Sequence, residues 1–214
     1  MRDHPEYQLS LEPIKVEGDA PRIIKLAAFA AEIAEVGPMA AVPGALAEIS
    51  VGEMVHDGAL VNLVENGGEI ASISYKPLSV AIYAGPSPVS GQIGFLLSAQ
   101  DFPIGIATSS ATVSSALSFG EADAVVIIAE SSSLADATAT AVCNVVKGPD
   151  IEASVQSGLE IAETIPYVRA AMVVRGRYIG KVGRLPRLLK LNGSPDESFK
   201  ASLHEIMPHK MTLL

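Results

Sequence analysis

Apolar residues recur at helical spacing in the first third of the chain. Positions three and four apart predict a helix over Arg22–Val36, and Gly37-Pro38 ends it. A second helix is predicted over Met39–Val55, with Pro43-Gly44 either in its first turn or at a kink. Both helices are rich in alanine, which favours close packing against neighbouring elements.

After Asp57-Gly58 the pattern changes to alternation and to short apolar runs, which indicate strands. The tripeptide Asn66-Gly67-Gly68 predicts a hairpin or another tight turn, because asparagine and glycine tolerate positive φ at little steric cost. Clusters of glycine, proline and serine separate the other runs. The predicted strands are Ala59–Val64, Glu69–Ser74, Leu78–Ala84, Ile93–Leu97 and Phe102–Ala107.

The second half of the chain combines helices and strands without regular βαβ alternation. Predicted elements are a short helical segment Thr112–Leu117, a β-branched strand Ala124–Ala129, an Ala-rich helix after Ser131–Ser133, a helix Pro149–Thr164, and a hairpin of Ala170–Val174 with Tyr178–Val182. Runs of strands with helices on either side are typical of a layered α+β domain. We expect one such domain over residues 1–214, with its core at 5–182 and residues 190–214 as a loose tail.

Composition indicates which binding partners and which cellular location to expect. The hydrophobic content of 49% provides for a core, and only 5% of the residues are aromatic. A formal net charge of −9 argues against nucleic-acid binding, which requires clustered Lys and Arg. No apolar stretch reaches the roughly 18 to 20 residues that span a bilayer, and the first residues lack the apolar region of a signal peptide. The single cysteine, Cys143, excludes an internal disulfide and a CxxC motif. We expect a cytoplasmic protein without membrane contact.

The common catalytic and nucleotide-binding motifs are missing from the sequence. The four histidines have no metal-ligand spacing, and none lies beside an obvious nucleophile. Neither a G-x-G-x-x-G nor a G-x-x-x-x-G-K-[ST] phosphate loop is present. The sequence therefore nominates no catalytic residue.

Asp136 and Thr140 form the most distinctive polar pair, because they lie four apart in an otherwise apolar helix. That spacing places both side chains on one helix face, about one turn from each other. The pair could bind a ligand. Alternatively, Ser133-x-x-Asp136 matches a capping box, and Thr140 could bond to a carbonyl one turn earlier.

Two turns have the same double interpretation. The segment Asn66-Gly67-Gly68-Glu69 is a turn, and it is also a place where backbone could approach a ligand closely. The segment Thr108-Ser109-Ser110 could cap a helix or donate hydrogen bonds to a phosphate.

Five segments, in order, resemble the ApbE superfamily, and they are most similar to a shorter, uncharacterised branch of it. They are Val36–Val42 with Gly44-Ala45, Val64–Ile70, Gly105–Ser110, Ser118–Val125 and Leu134–Thr140. The resemblance covers Pro5 to Val182. The founding enzymes of the superfamily transfer FMN from FAD onto a threonine of target flavoproteins with Mg²⁺. The resemblance therefore implies an ApbE-like α+β fold of mainly antiparallel strands packed with Ala-rich helices.

The resemblance also implies a site. The family's A-D-x-x-x-T motif falls on Asp136 and Thr140, which with the carbonyl of Ala107 would hold Mg²⁺. Hard oxygen ligands of this kind suit Mg²⁺, which keeps several waters and bridges to substrate phosphates. The family's N-x-G-G-[DN] turn and A-T-S-G turn imply further contacts to FAD, with Ser110 replacing the last glycine. These contacts would come from Asn66, Gly67, Gly68, Glu69, Thr108, Ser109 and Ser110.

One family segment is missing. The founding enzymes carry H-I-I-D-P-x-T-G between the two motifs, whereas the interval Ser110–Leu134 contains no histidine. Three hypotheses remain: a Mg²⁺-dependent transferase acting on FAD or a related nucleotide phosphate, with an acceptor protein; a non-catalytic flavin- or nucleotide-binding protein; and a structural or partner-binding module in which Asp136 only caps a helix. The Ala-rich helices could also pair between subunits of a homo-oligomer.

Overall fold

A computed structural model describes residues 5–83, 90–111 and 118–191. Within these ranges two short 3₁₀ helices, Pro38–Ala41 and Ala99–Asp101, accompany the α-helices. The α-helices are α1 (Pro5–Leu9), α2 (Arg22–Ala34), α3 (Val42–His56), α4 (Ser132–Val145) and α5 (Ile151–Thr164).

The strands form two antiparallel sheets. The larger sheet has six strands in the order β1-β2-β5-β6-β7-β8, and the smaller has three in the order β3-β4-β9. All neighbouring strands pair antiparallel. The strands are β1 (Val61–Asn66), β2 (Glu69–Ser74), β3 (Leu78–Ala81), β4 (Ile93–Leu97), β5 (Ile104–Ser109), β6 (Ala124–Ala129), β7 (Val168–Arg175), β8 (Tyr178–Gly183) and β9 (Arg187–Lys190).

The centre of the six-stranded sheet is buried on both faces, and this explains the unbroken apolar run of β6. Val125 and Ile127 point toward the helices, whereas Val126 and Ile128 point toward a core that includes Phe95 of the small sheet. Successive side chains of a strand alternate between faces, so a strand covered on both sides has to be apolar throughout. The predicted α+β class, with antiparallel strands and Ala-rich helices, is confirmed.

Helix α4 lies in the middle of the helix layer. It packs on β5 and β6, has α3 and α5 as neighbours, and is covered by α2. Ala27 and Ala31 of α2 and Ala135 and Ala139 of α4 all belong to one buried cluster. Small side chains allow the helices to approach closely, and even the polar residues of the first turns of α4 are therefore buried.

Most predicted elements are present, with shifted ends. Pro43-Gly44 lies in the first turn of α3 and does not kink it. Strand β5 begins and ends two residues later than predicted, and α1 and β9 were not predicted. The predicted segment Thr112–Leu117 and the tail beyond residue 191 lie outside the described residues. In the described part of the chain, no helix has the length and apolar character needed to cross a membrane.

Candidate functional site

The turn between β1 and β2 is a two-residue hairpin loop, as the sequence predicted. Asn66 pairs with Glu69, and Gly67 and Gly68 between them have φ values of 75° and 115°. Positive φ at both loop positions is the reason for the glycine pair. The Asn66 side-chain amide donates a hydrogen bond to the Pro43 carbonyl at 3.2 Å. The hairpin is thereby attached to the first turn of α3.

The same turn lies beside the end of β5. A Cβ built on Gly68 would be 3.4 Å from the Thr108 carbonyl oxygen, so the two predicted ligand-contacting segments adjoin each other. Ala107 belongs to the buried cluster under the helices, and Ser109 shares its face by strand alternation. The Thr108 side chain shares the opposite face with Ile106. Thr108 therefore presents its backbone, and not its hydroxyl, to the turn.

The start of α4 differs from the predicted capping box. Ser131 is the N-cap and accepts a hydrogen bond from the Leu134 amide at 3.4 Å. Ser133 is already helical, and its hydroxyl donates to the Glu48 carboxylate of α3 at 2.6 Å. The Ser133–Asp136 capping box is therefore wrong, because α4 begins two residues earlier than that motif requires and Asp136 lies in its second turn.

Asp136 caps a different helix. Its side chain is buried at 7% exposure, and one carboxylate oxygen accepts the Gly44 amide hydrogen at 2.9 Å. That amide lies in the first turn of α3, where backbone N–H groups have no partner within the helix. Helices α3 and α4 thus cap each other, because Glu48 of α3 also accepts a weaker bond from the Ser133 amide at 3.3 Å.

The close contact between these helices depends on Gly44. A Cβ at this position would lie 2.3 Å from the Ser132 carbonyl oxygen and 2.9 Å from Cβ of Asp136. The sequence interpretation placed Gly44 near a helix start and in a family-like segment but gave it no role in the site, and it did not name Glu48. The structure shows why the role was not evident: α3 has Ala41 at its N-cap and no side-chain capping bond of its own, whereas the predicted helix began at Met39. A helix start of this kind needs an acceptor from elsewhere in the fold.

Glu69 is the second carboxylate of the site. Burial raises the pKa of Asp136 well above its usual range, and the nearby charge of Glu69 raises it further, against the lowering effect of the Gly44 hydrogen bond. Burial also raises the pKa of Glu69 to about 7, with its own backbone amide lowering it and Glu65 raising it. In the described ranges neither carboxylate forms a salt bridge with Lys, Arg or His. When both groups are ionised, the buried carboxylate of Asp136 and the half-buried carboxylate of Glu69 therefore repel each other, and no basic side chain of the described ranges pairs with either.

Thr140, the other half of the predicted pair, lies one turn beyond Asp136 and is partly exposed. Its hydroxyl forms no hydrogen bond with any described residue, so the predicted bond to a carbonyl one turn earlier is not present. Ala107 is fully buried on the strand against which α4 packs. Ser110 is also buried, immediately after β5. The predicted metal-binding and ligand-contacting residues thus come from elements that contact one another, and their roles remain predictions.

The raised pKa of Glu69 predicts how stability depends on pH. The folded protein holds this proton up to about pH 7, whereas a carboxyl group with its ordinary pKa of 4.5 loses it earlier. The Glu69 carboxyl group therefore contributes fully to the stability of the folded state at pH values below its ordinary pKa of 4.5. This contribution to stability is lost as pH rises through about 7. We expect the metal-free protein to unfold at a lower urea concentration at about pH 8 than at about pH 5. Glu69→Gln should flatten this dependence. An equally steep profile in that variant would exclude Glu69 as its source.

This fold and site define an α+β protein with a carboxylate pair beside a glycine hairpin. The chain belongs to the family described as "AbpE bacteria", which matches residues 1–163. It is 42% identical over 190 residues to a UPF0280 protein of Methanothermobacter thermautotrophicus, covering 88% of this chain and 73% of that protein. It is 44% identical over 190 residues to a UPF0280 protein of Methanococcus aeolicus, covering 88% and 76%. The resemblance to ApbE and to a short branch of that superfamily is confirmed.

Solved structures give a more distant likeness. The apo form of the flavinyl transferase ApbE of Pseudomonas stutzeri is 21% identical with a TM-score of 0.48, covering 69% of this chain and 47% of that one. The chain thus spans about half of the length of that structure. Family membership rests on the sequence matches.

Proposed function

We propose that this protein binds Mg²⁺ at Asp136 and acts as a transferase on FAD or a related nucleotide diphosphate. The observation that carries the proposal is the pair of carboxyl groups of buried Asp136 and half-buried Glu69, which lacks a basic partner in the described ranges. A divalent cation would remove the repulsion between them. Membership of an ApbE-like family supports flavin as the substrate class.

The residues present fit Mg²⁺. The donors are hard oxygens, and the Gly44 amide occupies only one of the two carboxylate oxygens of Asp136. The charge of Glu69 acts on Asp136, Thr140 lies one turn along α4, and the Ala107 carbonyl belongs to a strand on which α4 packs. Among the described residues there is no cluster of three or more His, Cys, Asp or Glu side chains. Mg²⁺ tolerates this, because it usually takes one or two carboxylates and completes its shell with water and phosphate.

The bound ion would neutralise a diphosphate and polarise the phosphorus under attack. The chain's own residues would orient the substrate. The Gly67-Gly68 turn has no Cβ atoms and lets a ligand approach the backbone, and Asn66 fixes this turn to α3. In the transfer, an acceptor hydroxyl would form a bond to the FMN phosphorus. The bond from that phosphorus to the bridging oxygen would break, AMP would leave with the electron pair, and the hydroxyl proton would pass to solvent.

Two other functions remain open. A flavin- or nucleotide-binding protein without transfer chemistry is favoured by the lack of a histidine-bearing segment between Ser110 and Leu134. A structural module is favoured by the bond from Gly44 to Asp136, which gives this carboxylate a role without any ligand.

The test combines binding with turnover. Calorimetric titrations of FAD, FMN and ATP, each with and without Mg²⁺, measure affinity, and chromatography of FAD incubations detects FMN and AMP. We expect FAD to bind more tightly with Mg²⁺ and to release AMP, at least slowly to water. Glu69→Gln should weaken Mg²⁺ binding about tenfold or more. Metal-independent FAD binding without AMP would support the binding protein, and no binding by any of the three nucleotides would support the structural module.

A further inference from the structure

The outer face of α2 is uncovered by the rest of the described chain. Its inner face of Ala27, Ala30, Ala31 and Ala34 is buried against the helix layer. The opposite face presents a stripe at positions three and four apart, formed by Arg22, Lys25, Phe29 and Glu32. We call these four residues the α2 stripe. Phe29, at its centre, is 61% exposed. Burial of this ring against a partner would be favourable.

The charges of the stripe are ordered along the helix. Basic residues precede Phe29, and acidic Glu32 follows it, with Glu35 directly after the helix. The contacts that Arg22 and Lys25 make are exposed: Arg22 lies 3.8 Å from Glu53 of α3, and the Lys25 amine donates to the Gly18 carbonyl at 3.2 Å. Exposed contacts of this kind contribute little free energy, so these side chains can exchange partners.

We propose that a second copy of this chain docks on the α2 stripe, with the two α2 helices antiparallel about a two-fold axis beside Phe29. Lys25 lies four residues before Phe29, and Glu32 lies three after it. The rise of an α-helix is about 1.5 Å per residue. In the antiparallel pair, the position of Lys25 in one copy therefore differs from that of Glu32 in the other by only about 1.5 Å along the helix axis. Because each residue turns the helix by about 100°, Lys25 and Glu32 of one helix lie on the same side of Phe29. Lys25 of one copy therefore faces Glu32 of the other across the two-fold axis.

The symmetry makes this arrangement specific. Each contact occurs twice in a two-fold dimer, so one complementary pair gives two ion pairs. A parallel arrangement would instead oppose Lys25 to Lys25 and Glu32 to Glu32. The chain has a net charge of −9, and copies of it repel each other over most of their surface. The α2 stripe contains two basic residues and one acidic residue, so it is locally free of this negative excess.

Further exposed apolar residues lie on elements near α2. Leu9 and Leu11, at and just after α1, and Met39 of the first 3₁₀ helix are exposed, and this 3₁₀ helix contacts both α1 and α2. An interface built on one helix with these additions lies at the small end of specific interfaces. The dimer is therefore expected to dissociate on dilution.

Exchanging the charges of Lys25 and Glu32 tests the proposed dimer. Sedimentation equilibrium over a concentration series should show a monomer–dimer equilibrium for the wild type. Lys25→Glu and Glu32→Lys should each weaken dimerisation about tenfold, because each creates two like-charge contacts. The double variant K25E/E32K should return to within about threefold of the wild type. Lys25 and Glu32 are seven residues apart on one helix and do not contact each other there, so rescue requires a second copy.

Phe29→Glu should abolish the dimer at all concentrations, with an unchanged circular dichroism spectrum. The matched control is Tyr75→Glu, which places the same charge on an aromatic residue with 79% exposure after β2 and should leave the dimer intact. A wild type that stays monomeric throughout overturns the proposal. So does a dimer that survives Phe29→Glu, which would assign it to another surface, or a double variant as weak as the single variants.

Discussion

Asp136→Asn is expected to weaken the proposed Mg²⁺ binding and turnover strongly while the protein remains folded. Asparagine keeps an oxygen that can accept the Gly44 amide hydrogen, so the cap on α3 is retained. The substitution removes a buried carboxyl group whose ionised form Glu69 repels. The unfolding temperature without metal should therefore equal or exceed that of the wild type. Loss of the charge that holds the cation should lower any Mg²⁺-dependent release of AMP about 10²- to 10³-fold.

Asp136→Ala separates the structural role from the ligand role. Alanine removes both the charge and the acceptor, which leaves the Gly44 amide buried without a partner. The loss of that acceptor should cost about 1 to 3 kcal/mol of unfolding free energy. The measurements are urea unfolding and thermal shifts with and without Mg²⁺. If Asp136→Asn kept a wild-type Mg²⁺-induced shift, Asp136 would be only a cap, and the transferase proposal would lose its central residue.

The second large effect concerns Gly44. Gly44→Ala should lower the unfolding free energy by about 1 to 3 kcal/mol, toward the upper end, because the new methyl group meets backbone. It would lie 2.3 Å from the Ser132 carbonyl oxygen, and a backbone atom cannot move aside by changing a rotamer. Helices α3 and α4 would have to separate, and this would also displace Asp136. Any Mg²⁺ binding should weaken with the loss of stability.

Gly52→Ala is the matched control. Gly52 lies in the same helix, and a Cβ there would meet nothing within 4 Å. Alanine is a better helix former than glycine, so this substitution should stabilise the protein by up to about 1 kcal/mol. Opposite signs for the two glycine substitutions in one helix are the expected result. Equal effects from urea unfolding would contradict the close helix contact at Gly44.

Several features were predictable because their causes are local. The sequence Asn66-Gly67-Gly68 favours a hairpin turn by local preference alone, since glycine adopts positive φ at no steric cost. The alternation and length of the apolar runs predicted the strands, although β5 and β1 end two residues beyond the predicted limits. Strand ends depend on which neighbours provide hydrogen bonds, and that information is not local.

The site itself could be predicted only in part. The spacing of Asp136 and Thr140, together with the family resemblance, selected the relevant turn of α4. The same local spacing also suggested a capping box with Ser133, which the fold does not form. Sequence spacing cannot decide between these alternatives, because the amide that Asp136 accepts belongs to Gly44, 92 residues earlier. The role of Glu48 at the start of α4 was hidden for the same reason.

The sequence by itself determined the element types, the hairpin at Asn66–Glu69, the α+β class and the family, because each depends on local conformational preference or on ordered motifs. Only the tertiary structure decided which charges meet. It brought Glu69 near enough to Asp136 for its charge to act there, left buried Asp136 and half-buried Glu69 without a basic partner in the described ranges, and assigned the Asp136 carboxylate to the amide of another helix. The physical reason is that burial and electrostatic repulsion depend on distances through space, which the packing of α3 and α4 at Gly44 sets.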